Sequence, residues 1–292
     1  MDLANFRVDP FFFSTGGVIL VAGLILSTWM LTRTVHEKEL SLKFLNDRLI
    51  LLSFVSLVVG RLGAMETFWS YFQSHSEDVS TWSQMFLFFK KFIFFWHGGI
   101  DEFWTGVGFL SLFLITVFWK KENMWKWLDA FTLPTIFLLI FWNIGAFFSG
   151  WDYGTPVSDS FPFGITYNMF EVRYSVPLHP VQVYAALYFF ILLIVGVRLW
   201  KKRFFPRDGT FFGVFLGLVF LGNGILEFYR GDPATLIDIG FTEARLPQVM
   251  SFSIVVMAVF FLVFHTHPLM IPRRLKRPPE TAVEPLSHGD TE

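Results

Sequence analysis

The sequence holds 292 residues, of which 53% are hydrophobic and only 16% charged, with 40 Phe and 11 Trp. A soluble domain carries about 25% charged residues, so this depletion, with a mean hydropathy of +0.52, excludes a pair of soluble domains and indicates a polytopic membrane protein. The net charge of -1 gives no sign of a nucleic-acid partner, and the absence of Cys excludes disulfides, thiolate metal sites and a cysteine nucleophile.

In chain order, seven apolar stretches approach the roughly 20 residues that a bilayer-spanning helix needs. They are Phe11–Leu31, Leu49–Trp69, Trp104–Trp119, Leu128–Ser149, Val181–Trp200, Thr210–Tyr229 and Val249–His265. The expected fold is an all-α integral membrane protein with about seven transmembrane helices and an exterior-facing loop or head segment. Met85–Phe95 is also apolar, but Lys90 and Lys91 mark it as a half-helix or interfacial piece. Met1–Pro10 lacks a basic n-region, so the first stretch is expected to remain as a span.

Fifteen of the 23 basic residues fall in alternate loops, within Arg33–Arg48, Lys120–Lys126, Lys201–Arg207 and Arg273–Arg277. By the positive-inside rule those loops face the cytoplasm, which puts the amino terminus outside and the carboxyl terminus in the cytoplasm. Residues 1–272 then form one polytopic membrane domain, and 273–292 a basic cytoplasmic tail that is expected to be disordered. The long loop Trp151–Pro180 is expected outside.

Arg61 lies in Gly60-Arg61-Leu62-Gly63, inside the second stretch. An arginine at membrane depth costs several kcal/mol unless it is paired or near the interface. It is either a snorkelling residue or a cavity residue facing an anionic headgroup. His97-Gly98-Gly99 precedes the third stretch. The glycine pair suits a backbone that breaks, and His97, titrating near neutrality, is a candidate general base.

Asn143 and Gly145 lie in the fourth stretch, and Gly150 and Asp152 in the turn that closes it. Asn143 is interhelical glue or a ligand contact, and Asp152 a turn or cap residue or a site residue. His179-Pro180-Val181-Gln182-Val183-Tyr184 opens the fifth stretch, with Pro180 suited to a first helical turn. Gln182 and Tyr184 both need polar partners there. Asn223 and Glu227, four apart, share a helical face. Glu227 and Arg230 serve a ligand or form a local ion pair. Gln248 opens the seventh stretch toward the same cavity. HExxH, P-loop and GxSxG motifs are absent, and neither a metal nor a cofactor is expected.

Taken in order, several of these pieces resemble the prolipoprotein diacylglyceryl transferase family over nearly the whole chain. They are Gly60-Arg61-Leu62-Gly63, Trp96-x-Gly98-Gly99-Ile100 and Ile144-Gly145-x-Phe147-x-x-Gly150-x-x-x-Gly154. His179-Pro180-x-Gln182-x-Tyr184, Glu227-Phe228-x-Arg230-x-x-Pro233 and Gln248 with Ser251 complete the set. The resemblance implies a multi-pass enzyme of the bacterial plasma (inner) membrane. Such an enzyme moves the diacylglyceryl group of phosphatidylglycerol, or a related phospholipid, onto the lipobox cysteine thiol of a prelipoprotein, releasing glycerol phosphate. It implies His97, His179 and Glu227 as catalytic groups, with the other polar and glycine positions named above binding substrate.

Some family positions are substituted. The signature arginine falls on Asn143, the signature asparagine on Ala146, and the acidic residue on Trp151, one place before Asp152. The arginine one turn before the glutamate falls on Asn223, and the histidine on Phe103 unless His97 replaces it by a shift of register. These substitutions leave a second reading open, a catalytically degenerate homologue that binds lipid or a membrane partner without transfer. A transporter or channel would need polar residues through the midplane, whereas the polar groups here gather toward the outer side.

Overall fold

A computed structural model describes residues 5–8, 11–75, 83, 86, 102–168, 172–234, 236–238 and 243–266. Seven long helices occupy the seven apolar stretches: α1 (Thr15–Glu37), α2 (Leu42–His75), α3 (Glu102–Trp119), α4 (Met124–Ser149), α5 (Val181–Lys201), α6 (Thr210–Leu226) and α7 (Leu246–Thr266). A hairpin of β1 (Asn5–Val8) and β2 (Phe11–Ser14) precedes α1, and a second, β3 (Leu236–Asp238) and β4 (Glu243–Arg245), precedes α7. By length and apolar composition α1, α4, α5, α6 (continued to Tyr229) and α7 can each cross a membrane. Ile50, Phe118 and Phe264 stay largely exposed on the outer faces, as in a bundle solvated by lipid. The chain is an all-α integral membrane protein.

The first span begins at Thr15, not Phe11. Phe11–Ser14 pairs antiparallel with Asn5–Val8, and aromatic residues suit a strand as well as a helix, so hydropathy alone does not separate the two. The second helix outruns its apolar stretch at both ends. His97, most of Met85–Phe95 and the tail 273–292 lie outside the described residues.

α4 organises the bundle. Asn123 caps it, its side chain accepting from Trp125 N at 3.1 Å and Lys126 N at 3.2 Å. Pro134 inside this helix has no N–H for the Ala130 carbonyl. Thr34 of α1 supplies the missing donor, its hydroxyl reaching Ala130 O at 2.7 Å, while Ser27 donates to Pro134 O at 2.6 Å. α1 can approach this closely because Gly16 and Gly145 meet backbone to backbone.

Two apolar cores flank α4. One gathers Leu52, Phe113, Val117 and Trp127 from α2, α3 and α4, and the other Leu133, Ile136, Phe189 and Phe215 from α4, α5 and α6.

At one end of the bundle Asp129, 1% exposed, accepts from Lys38 Nζ at 2.9 Å, Gly209 N at 3.0 Å and Phe212 N at 2.9 Å. It caps α6 from outside, where the N-cap itself is a glycine with no side chain to do so. Lys38 also reaches Asp208 at 3.2 Å, which ties α1, α4 and α6 together. The opposite end carries the candidate site.

Candidate functional site

α4 stops because Gly150 adopts a left-handed conformation (φ 68), and Trp151 N–H bonds back to Ala146 O at 3.0 Å. Asp152 is left-handed too (φ 56), which turns the chain across the end of the bundle. Three segments then run side by side. Thr155 N–H donates to Tyr229 O at 2.8 Å, Gly231 N–H to Tyr153 O at 2.8 Å, and His179 N–H to Thr155 O at 3.0 Å. Gly154 sits where they cross. A Cβ there would run into the His179 carbonyl and lie 2.6 Å from His179 Cβ, so only glycine fits without displacing the backbone. Farther along, Ile165 and Leu178 exchange two bonds of 3.0 Å, and Tyr153, Tyr167, Val172 and Leu178 close a small core of their own. The long loop is therefore a folded head, held by backbone bonds between distant segments.

The ladder brings five charged side chains into one cluster. Arg230 donates from Nη1 to Glu227 Oε1 at 3.0 Å, from Nε to Asp232 Oδ1 at 3.0 Å, and from Nη2 to Asp152. Arg245, at the end of β4, donates to Glu227 Oε2 at 2.8 Å, to Asp232 Oδ1 at 3.1 Å, and to the carbonyls of Asp232 at 2.8 Å and Arg230 at 3.2 Å. Glu227 is buried, with each carboxylate oxygen held by a different guanidinium. Burial by itself would lower the Arg230 pKa. The charges of Asp152, Asp232 and Glu227 outweigh it and raise the group above its ordinary value.

Gln182, 1% exposed in the first turn of α5, donates to Trp151 O at 2.6 Å and lies 3.5 Å from the Tyr167 hydroxyl. It fixes the start of the loop that carries Asp152. Burial pushes the Tyr167 phenol up to about 12, with the bond to Gln182 a smaller opposing effect. His179 is half-buried against the rings of Phe161, Tyr184 and Tyr229, its Nδ1 3.4 Å from the Tyr184 hydroxyl. The helix that follows begins at Val181, with Pro180 as its N-cap.

Of the residues singled out in the sequence, Asp152 and Glu227 both bond to Arg230. Gln182 holds the Trp151 carbonyl next to Asp152, His179 bonds to Thr155, and Tyr184 packs against His179. Gly150 supplies the turn. Asn223 stands one turn before Glu227, and its carbonyl accepts the Glu227 N–H. Gln248 is buried at the start of α7. Asn143 and Gly145 make their contacts within α4 and with α1. Arg61 is buried on α2, which packs chiefly on α3. Asn143 Nδ2 donates to Leu139 O of its own helix at 2.8 Å, and Gly145 serves the contact with α1.

Arg245 and Asp232 belong to the cluster although motif spacing did not single them out. One signal for Arg245 was available, a rare basic residue in a loop on the side that is poor in Lys and Arg. Among the described residues no group of three or more His, Asp or Glu is arranged to hold a metal ion. Both guanidinium forks of the cluster are occupied by its three carboxylates. Guanidinium forks match phosphate and carboxylate oxygens in geometry and charge.

A family model described as prolipoprotein diacylglyceryl transferase matches residues 4–264. The chain is 25% identical over 232 residues to a phosphatidylglycerol--prolipoprotein diacylglyceryl transferase from Tolumonas auensis, covering 77% of this chain and 83% of that protein. A protein of the same name from Bacillus velezensis is 23% identical over 279 residues, 90% of this chain and 94% of the relative. One from Clostridium tetani is 32% identical over 130 residues, 43% and 49% respectively.

Proposed function

The chain belongs to the prolipoprotein diacylglyceryl transferase family, and from that membership we propose that it transfers the diacylglyceryl group of phosphatidylglycerol to the lipobox cysteine thiol of a prelipoprotein, at the outer face of a bacterial plasma membrane. The observation that carries this reading is the guanidinium cluster of Arg230 and Arg245 at one end of the bundle. The opposite end holds the basic stretches Lys120–Lys126 and Lys201–Arg207, which favours the cytoplasm for that end and the exterior for the cluster.

In the proposed reaction the thiol loses its proton to a base, and the thiolate sulfur attacks the glyceryl carbon that bears the phosphate. The carbon–oxygen bond breaks, and glycerol phosphate leaves with the electron pair. His179 is the proposed base, aligned by the Tyr184 hydroxyl. Arg230 is proposed to meet the growing negative charge on the leaving phosphate, as preorganised donors do. Glu227 and Arg245 hold that guanidinium in place, while Gln182 and Gly150 hold the loop beside it. Arg61, Asn143, Asn223 and Gln248 are proposed to line the path by which the lipid arrives from the bilayer.

A second reading is favoured by two specific observations. Every guanidinium nitrogen of Arg230 already has a carboxylate partner, and the Asn143 amide is turned back onto its own helix. In that reading the chain binds lipid and transfers nothing. Purified protein in nanodiscs, given phosphatidylglycerol labelled in its acyl chains and a lipobox peptide, separates the two. Label on the peptide thiol supports transfer. Lipid retained with no labelled peptide, and labelling acquired only by Asn143→Arg with Asn223→Arg, establishes the second reading.

A further inference from the structure

We propose that Asp152 is a resident anion in a phosphodiester site on Arg230, its carboxylate occupying the Nη2 edge of the guanidinium until a lipid phosphate displaces it. This inference rests on the reading of phosphatidylglycerol as substrate.

The three carboxylates on Arg230 are not equivalent. Glu227 and Asp232 are sequence neighbours of Arg230, and both are shared with Arg245. Asp152 comes from 78 residues away and, among the described residues, is bonded to Arg230 alone. It is also the most exposed of the three, at 29% against 20% for Asp232 and 5% for Glu227. Two guanidiniums balance two carboxylates, so the third leaves an uncompensated negative charge, and Asp152 is the one least tied to the cluster. A phosphodiester carries a single negative charge. A phosphodiester oxygen that takes the Nη2 edge substitutes one charge-assisted acceptor for another, while the displaced Asp152 carboxylate keeps its charge and turns to solvent.

The exchange needs only rotation of the Asp152 side chain. The surrounding loop is held by the Thr155–Tyr229, Gly231–Tyr153 and Gln182–Trp151 bonds, none of which involves the carboxylate.

The test is binding of dioctanoyl phosphatidylglycerol, and separately of glycerophosphoglycerol, its deacylated phosphodiester, to the detergent-purified full chain by titration calorimetry. Asp152→Asn and Asp152→Gly both remove the charge, and both residues accept the left-handed backbone at this position. Because a charge-assisted bond no longer competes, both variants are expected to bind each probe about tenfold more tightly than the original chain. The gain is expected to vanish in Asp152→Asn with Arg230→Gln. Unchanged or weaker binding in both folded variants overturns this inference and leaves the transfer reading standing. A gain confined to the whole lipid overturns the phosphate assignment. Failure of every form to bind the lipid overturns both.

Discussion

Truncating Arg245 to alanine removes one of the two guanidiniums that hold Glu227 and leaves its Oε2 without the 2.8 Å donor. Asp232 loses its 3.1 Å partner, and two carbonyls lose theirs. Three carboxylates then face a single guanidinium. Removing one partner of a buried ion pair costs about 3–5 kcal/mol. Arg245 is 16% exposed and Asp232 20%, so water recovers part of that loss and the lower bound applies, about 3 kcal/mol. For a chain of this length each kcal/mol lowers the melting temperature by roughly 2 °C, giving a drop of roughly 6 °C in detergent. Arg245→Lys restores the charge but not the fork, and is expected to recover about half of the loss. Thermal unfolding followed by tryptophan fluorescence measures both variants. A melting temperature within about 1 °C of the original for Arg245→Ala would refute the view that the two guanidiniums act as one clamp.

Asp129→Ala is expected to lower stability by about 3 kcal/mol, since it takes one of the two carboxylates from Lys38 and strands two helix-start N–H groups at once. Asp129→Asn, which keeps an acceptor, is expected to lose roughly half as much in the same melting assay. Gly154→Ala forces a Cβ into the His179 carbonyl and is expected to cost about 2–3 kcal/mol. Proteolysis would show this as faster cleavage within the head, with the bundle intact. The Tyr167 phenol titrates near 12 in the folded chain and at its ordinary 10.0 when unfolded. Between those values the folded chain keeps a proton that the unfolded chain has released, so stability falls as pH rises through that window. Tyr167→Phe is expected to flatten this alkaline decline in melting curves.

Much of the membrane fold was legible because lipid demands long apolar helices, and such runs stand out in any hydropathy reading. Phe11–Ser14 was not, because a phenylalanine run satisfies both strand and helix until its partner Asn5–Val8 is known. The pair Glu227 and Arg230, three apart, was readable from spacing. Asp152 and Arg245 reach the same cluster from 78 residues before Arg230 and 15 after it, distances at which no local pattern specifies contact. The head is similar. Gly154 was visible as part of a glycine frame, but its purpose depends on Tyr229, Gly231 and His179 arriving beside it. Thr34 gave no sign in sequence of serving the carbonyl that Pro134 leaves open. Arg61 could be read as a snorkelling residue or a cavity residue, and in the structure it is buried on α2.

Transfer of diacylglyceryl groups to lipoproteins by this chain is tested most directly by letting it replace the resident enzyme in a living cell. Bacteria depleted of their own phosphatidylglycerol–prolipoprotein diacylglyceryl transferase, with this chain expressed and shown to be inserted in the membrane, are predicted to resume growth and to carry acylated lipoproteins. Continued accumulation of unmodified prelipoprotein, with no growth, would contradict the claim.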